Sequence, residues 1–237
     1  MDQAGVDAAV LIQHGGTYDN DYLFAEAAKR AGRFKVVVMI DPEDPDPLGR
    51  LEQLAGQDAA GVRIAPDGEF TALSDVTDIW RKAGELGLVV SSLGDDKRFS
   101  SASFKKIIDD CPDTQIVIEH LAGVGIAEPP YTDYKSALEC ATRPNTTVKV
   151  PGLGEITRRP PVLLPDFRFE NIPPLFEMAH EAFGVDRMMW GSDFPPCAGR
   201  EGYKNALNGV KHHEIFRSIE DQNKVMGQTA AKVWGFD

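Results

Sequence analysis

The stretch GVRIAPDGEFTALSDVTDIWRKAGELGLVVSS, Gly61 to Ser92, places one amphipathic segment between two short apolar runs. GVRI (61–64) and GLVVSS (87–92) are near-continuously apolar and rich in β-branched residues. Strands buried on both faces look like this, and such burial is characteristic of parallel sheets. The intervening SDVTDIWRKAGELG has helical spacing, and Ser74 stands where an N-cap is expected. Strand, helix and parallel strand together make one βα repeat.

The same unit recurs in both directions. Further strands are expected at AAVLI (8–12), KVVVMI (35–40), QIVIE (115–119), TVKV (147–150) and RMMW (187–190). Helices are expected at DNDYLFAEAAKRAG, where Leu23, Phe24, Ala27 and Ala28 share a face and Gly32 can end it, and at PLGRLEQLAG. Others are SASFKKIIDDC behind Ser101, YTDYKSALECA, PPLFEMAHEAFG before Gly184, and EGYKNALNGVKHHEIFRSI. The alternation runs through residues 1–237 without a break in composition, which predicts a single α/β domain. Two architectures suit it, a (β/α)8 barrel and an open doubly wound sheet. The open sheet commonly carries a glycine-rich phosphate loop after its first strand. Here HGGTYDND follows, with neither GxGxxG nor GxxxxGK[ST] spacing, so the barrel is preferred. Seven strands are found where a closed barrel has eight. MDQAGVD reads as the last turn of a helix with a glycine exit, so a strand and most of a helix are expected upstream, and the barrel is expected to be incomplete.

Composition narrows the function. The net charge is -12, which argues against nucleic acid, since no basic patch stands out to overcome it. Cys111, Cys140 and Cys197 form no CxxC pair, which argues against a disulfide framework or thiolate zinc site and suits a reducing cytoplasm. No leader-like start and no apolar run of about 18 residues is present, so no membrane association is expected.

In a barrel of this kind chemistry sits just beyond the C-terminal ends of the strands. Those positions hold Gln13 and His14, Asp41, Arg63, Ser91 and Ser92, His120, Lys149 and Asp193. His120 suits metal binding or carbonyl polarisation, or else a hydrogen bond to a neighbouring loop. Asp193, in MMWGSDFPP, is either a carboxylate of a site or a turn former. Arg63, flanked by apolar residues, needs an acidic partner or an anionic ligand. Lys149 raises the same alternatives, while Glu119 and Lys149 could face either side of the sheet, because a one-residue slip reverses every side chain. His14 lies in loop sequence and could face solvent or substrate. His180, His212 and His213 fall in expected helices and read as helix-surface residues. Cys197 has no base beside it in sequence, so no thiol nucleophile is proposed.

The chain resembles the amidohydrolase-related family of metal-dependent hydrolase-like barrels, in the branch with lactone hydrolases and nonoxidative decarboxylases. The matching segments are GVDAAVLIQ, GTYDNDYL, GVRI, IVIEHLAG, VKVPGLGEI, FGVDRMMWGSDFPP and MGQTAAKVWGF, in that order along nearly the whole chain. The resemblance implies that Asp193 is the proton-shuttling base and a metal ligand, that His120 is catalytic and a metal ligand, and that Arg63 holds a substrate carboxylate. His14, Tyr18, Arg158 and Arg159 are the further substrate-binding candidates, the last two in the segment ITRRPPVLLPDFRFE. Two features depart from the family pattern: the H-x-H pair of its first strand is absent, and Ser91-Ser92-Leu93-Gly94 stands where a histidine is frequent. His120 and Asp193 alone are an incomplete set, since a catalytic zinc site takes about three protein ligands. The cofactor is expected to be one divalent metal, zinc or manganese, or none. The leading expectation is hydrolysis of a small carboxylated lactone. The alternatives are metal-dependent decarboxylation of an aromatic or unsaturated acid, and a truncated, inactive barrel that binds a ligand. Unpaired strand edges would favour a homo-oligomer.

Overall fold

The computed structural model describes residues 1–158 and 169–236. All seven expected strands form: β1 (Ala9–Ile12), β2 (Phe34–Val38), β3 (Ala59–Ile64), β4 (Val89–Ser92), β5 (Ile116–Ile118), β6 (Thr146–Val150) and β7 (Met188–Trp190). They follow one another in chain order in one sheet, and the β1–β2, β2–β3, β3–β4 and β6–β7 pairings are parallel. Chain-order parallel strands joined by helices are the topology of a TIM barrel. With seven strands among the described residues, the fold is an incomplete (β/α)8 barrel.

The chain divides into two compact units. The first comprises residues 1–93, 102–117 and 231–237. The apolar runs of β2 to β4 supply its core, with Val37, Val38, Val62 and Val90 excluded from solvent. Helices Pro47–Ala55, Thr77–Glu85 and Ala102–Asp110 add their apolar faces, and Trp80 meets Phe104 edge to face at 5.9 Å between ring centres. The start MDQAGVD behaves as expected: Asp2–Ala4 form a short 3-10 turn that Gly5 ends at φ 67°. The cap at Thr77–Glu85 differs from the expectation. Asp75, not Ser74, accepts the Thr77 N–H, at 2.8 Å, because the helix begins later than its periodicity suggests.

The second unit comprises residues 94–101 and 118–230. Its core gathers Val148, Val150, Leu175, Phe176, Ala179, Met188 and Phe216. Tyr134 is fully buried, and its hydroxyl donates to the Leu175 carbonyl at 2.9 Å. Gly184 ends helix Leu175–Phe183 at φ 67°, as its position predicts. The run from Glu201 to Ile219 is not one helix. It ends at Lys211, and His213 beyond it is buried between Phe176 and Phe216, with ring centres 5.0 and 6.3 Å away. Burial pushes the His213 imidazole below its ordinary range. The surface reading therefore fails for this residue, because chain reversal after Lys211 turns it inward.

Candidate active site

Two of the strand-end residues singled out by sequence, His120 and Asp193, meet in the second unit, and a third joins them. His120, Glu155 and Asp193 each offer a ligand atom within 4.8 Å of the others. His120 stands two residues beyond the end of β5, in a conformation that L residues seldom adopt: φ is 53° there, 50° at Leu121 and 55° at Ala122. Left-handed backbone costs about 1–2 kcal/mol per residue, so packing must hold this turn in place. Leu121 and Ala122 are buried. Gly123 continues the turn at φ 63°, and a Cβ on it would overlap the Gly94 carbonyl oxygen and the Asp95 backbone. The small residues after His120 thus seat the turn against protein. Gly123→Ala is expected to destabilise by about 2–4 kcal/mol, combining strain with overpacking. Thermal denaturation measures this, and an unchanged Tm would refute the close approach.

Asp193 follows β7 and also lies in the left-handed region, at φ 51°. Ser192 performs the turn-forming task, its Oγ accepting the Phe194 N–H at 3.3 Å. The Asp193 carboxylate instead accepts from Arg200, Nη1 to Oδ2, at 3.0 Å. The same Nη1 donates to Glu155 Oε2 at 3.0 Å. Glu155 in turn receives His120 Nδ1 at 2.9 Å, and the His120 Nε2 edge lies 3.6 Å from Glu119. Glu119 is buried and pairs with Lys149 at 3.3 Å, so both face the same side and the packed, paired reading of Lys149 holds.

Behind Arg200 lies a second anchor. Glu201 is 1% exposed and binds one edge of the guanidinium with both oxygens, Nε at 2.6 Å and Nη2 at 3.1 Å. The room for its carboxylate comes from Gly152 and Gly154 in VPGLGEI, where an added Cβ would overlap a Glu201 oxygen at either position. Burial pushes the Glu201 carboxyl above its ordinary range, an effect that the Arg200 hydrogen bonds and charge oppose. Burial alone would lower Arg200, but its bonds to Glu201 and the charges of Glu155, Glu201 and Asp193 outweigh it and hold the guanidinium protonated. Cys197 is buried, its N–H donates to the Asp193 carbonyl at 2.9 Å, and burial pushes its thiol to about 11.

Sequence reasoning missed Glu155, Arg200 and Glu201. The GxG pair at 152 and 154 was the available signal, since two glycines so spaced often mark close approach of another group.

The remaining candidates lie mostly in the first unit. Gln13 is buried at the end of β1 and donates to the Asp19 carbonyl at 2.6 Å. His14 is exposed, its Nδ1 2.9 Å from the Gly15 carbonyl, and Tyr18 is half-buried. Arg63 in β3 donates from Nη1 to the Gln13 carbonyl at 3.1 Å. Asp41 serves a turn, accepting the Glu43 N–H at 3.0 Å. In the second unit Arg158 is exposed. Arg159 and most of the segment after it lie outside the described residues.

A histidine and two carboxylates form a reasonable donor set for a divalent metal. Ligand atoms about 2.1 Å from one tetrahedral ion stand about 3.4 Å apart, so the three groups, which lie within 4.8 Å of one another, would have to draw closer to hold it. The donor types suit the ion, and Arg200 Nη1 stands on the two carboxylates in this structure.

The model of a family described as amidohydrolase matches residues 1–236. An amidohydrolase of Burkholderia multivorans with bound zinc superposes with a TM-score of 0.82 at 22% identity, covering 100% of this chain and 86% of that one. A probable 2-pyrone-4,6-dicarboxylic acid hydrolase of Acinetobacter baumannii, with citric acid bound, gives 0.73 at 18% identity, covering 99% and 86%. At such identities the likeness is one of fold. A Sinorhizobium fredii protein described only as uncharacterized is 29% identical over 130 residues, a match spanning 54% of this chain and 41% of that relative.

Proposed function

This chain belongs to the amidohydrolase family, and from that premise we propose that it hydrolyses a small carboxylated lactone with Asp193 as general base. The observation that carries the reading is the convergence of His120, Glu155 and Asp193, on the segments that follow β5, β6 and β7, within 4.8 Å of one another. Strained backbone at both His120 and Asp193 supports it, since such strain clusters where function fixes geometry.

In this reading Asp193 takes a proton from water, and the water oxygen bonds to the lactone carbonyl carbon. His120, oriented through Nδ1 by Glu155, polarises the carbonyl oxygen as charge develops on it. The ring C–O bond then breaks, and Asp193 returns its proton to the departing alkoxide, leaving a hydroxy acid. A divalent metal held by His120, Glu155 and Asp193 would supply Lewis-acid polarisation and a more acidic water. Arg158, in the same unit as Asp193, is proposed as a substrate contact. The structural relative with a pyrone-dicarboxylate hydrolase description and bound citrate supports a carboxylated substrate class.

The test is a panel of matched lactones with and without a carboxylate, assayed with metal-depleted and with zinc- or manganese-supplemented protein. Preferential opening of the carboxylated members is expected. Release of carbon dioxide from aromatic or unsaturated acids, without lactone opening, would replace this reading with decarboxylation. Absence of turnover in every arm would leave a binding protein.

A further inference from the structure

We propose that Arg200 is a built-in cation that competes with metal for Glu155 and Asp193, so that metal binding requires Arg200 to withdraw. The geometry is specific. One nitrogen, Nη1, stands 3.0 Å from an oxygen of each carboxylate, and both carboxylates belong to the three-residue donor set. The opposite edge of the guanidinium is gripped by Glu201 through Nε and Nη2. Glu201 is buried in the slot that Gly152 and Gly154 leave open, so the arginine is anchored from behind and presents a single donor to the donor set.

Two consequences follow from charge. Without metal, Arg200 offsets the mutual repulsion of Glu155 and Asp193 and keeps them together. With metal, the ion and the guanidinium would stand a few ångströms apart with like charge, which is unfavourable wherever water screens poorly. The carboxylates therefore accept one cation or the other. This competition is independent of the substrate, because it sets the affinity of the site for metal and not what is turned over.

The test is titration of metal-stripped full-length protein with zinc and with manganese, read by calorimetry or by metal content after equilibrium dialysis. The main variant is Arg200→Gln with Glu201→Gln, which removes the guanidinium without leaving a charged carboxylate buried behind it. Binding tighter by roughly 10²-fold than in the native chain is expected. Arg200→Lys, which keeps a cation, should stay within a few-fold of the native value. The gain should vanish when His120→Ala is added, which ties it to the donor set. Unchanged or weaker affinity in the double variant, with native near-UV circular dichroism, overturns the proposal. A crystal structure of the zinc-soaked native protein is the second measurement, in case the double variant does not fold. Arg200 Nη1 is expected to have left both carboxylates, and an ion bound by the donor set with Nη1 still at 3.0 Å from both would overturn the proposal equally.

Discussion

Asp193→Asn is expected to lower kcat/KM for lactone opening by about 10²- to 10⁴-fold, the usual contribution of a positioned general base. The substitution is nearly isosteric. Asparagine tolerates the left-handed backbone found at this residue, where φ is 51°, better than most residues do, so the turn after β7 should survive. Its amide oxygen can still accept from Arg200 Nη1. What is lost is the capacity to accept and return a proton. The Cys197 N–H bond to the Asp193 carbonyl is a backbone contact and is unaffected. Steady-state kinetics on the best lactone of the panel, with circular dichroism to verify the fold, decides the matter. Turnover equal to that of the native protein would remove Asp193 from the proposed role.

Arg200→Ala is expected to destabilise the protein by about 3–5 kcal/mol, because it leaves Glu201 as a buried carboxylate without its counter-charge. For a chain of this size that corresponds to a fall in Tm of roughly 10 °C. Glu201→Gln alone should cost less, since Arg200 keeps Glu155 and Asp193 as partners. Combining Arg200→Ala with Glu201→Gln should recover much of the loss, an interaction that a double-mutant cycle isolates. The sign of the pH dependence follows from the same residue. Burial already lifts Glu201 above the ordinary glutamate value of 4.5, and Arg200 opposes that lift. Removing Arg200 raises the folded-state value further while the unfolded chain still titrates near 4.5. Between the two values the folded state binds a proton that the unfolded state does not, so stability falls as pH rises. The deficit of the variant should be smallest below the ordinary glutamate value of 4.5, where the proton is bound in both states, and grow toward neutrality. Equal deficits at both ends, from denaturant titrations, would show that Glu201 is not the group responsible.

Much of the architecture was legible because burial leaves a pattern that needs no long-range information. Each of the seven strands was marked by an apolar, β-branched run, and Gly5 and Gly184 marked helix ends through the backbone conformation they permit. Local errors came where two adjacent residues competed for one task. Asp75 rather than Ser74 accepts the Thr77 N–H, and the chain turned after Lys211 and buried His213. His120 and Asp193 were accessible as candidates because strand ends are where this fold gathers its chemistry. Glu155 lies within the segment VKVPGLGEI yet carries no periodic or positional mark of its own. Arg200 and Glu201 read as the polar end of one segment and the start of the next helix.

The sequence by itself determined the order and kind of the elements, the parallel sheet and the location of two strand-end residues, because these depend on local hydrophobic spacing and backbone preference. Only the tertiary structure decided that Glu155 completes their group, that Lys149 pairs with Glu119, and that Arg200 is shared by Glu155, Asp193 and Glu201. Those contacts join residues up to 45 positions apart. Their strength depends on distance and exclusion of water, quantities that no stretch of sequence contains until the chain has folded.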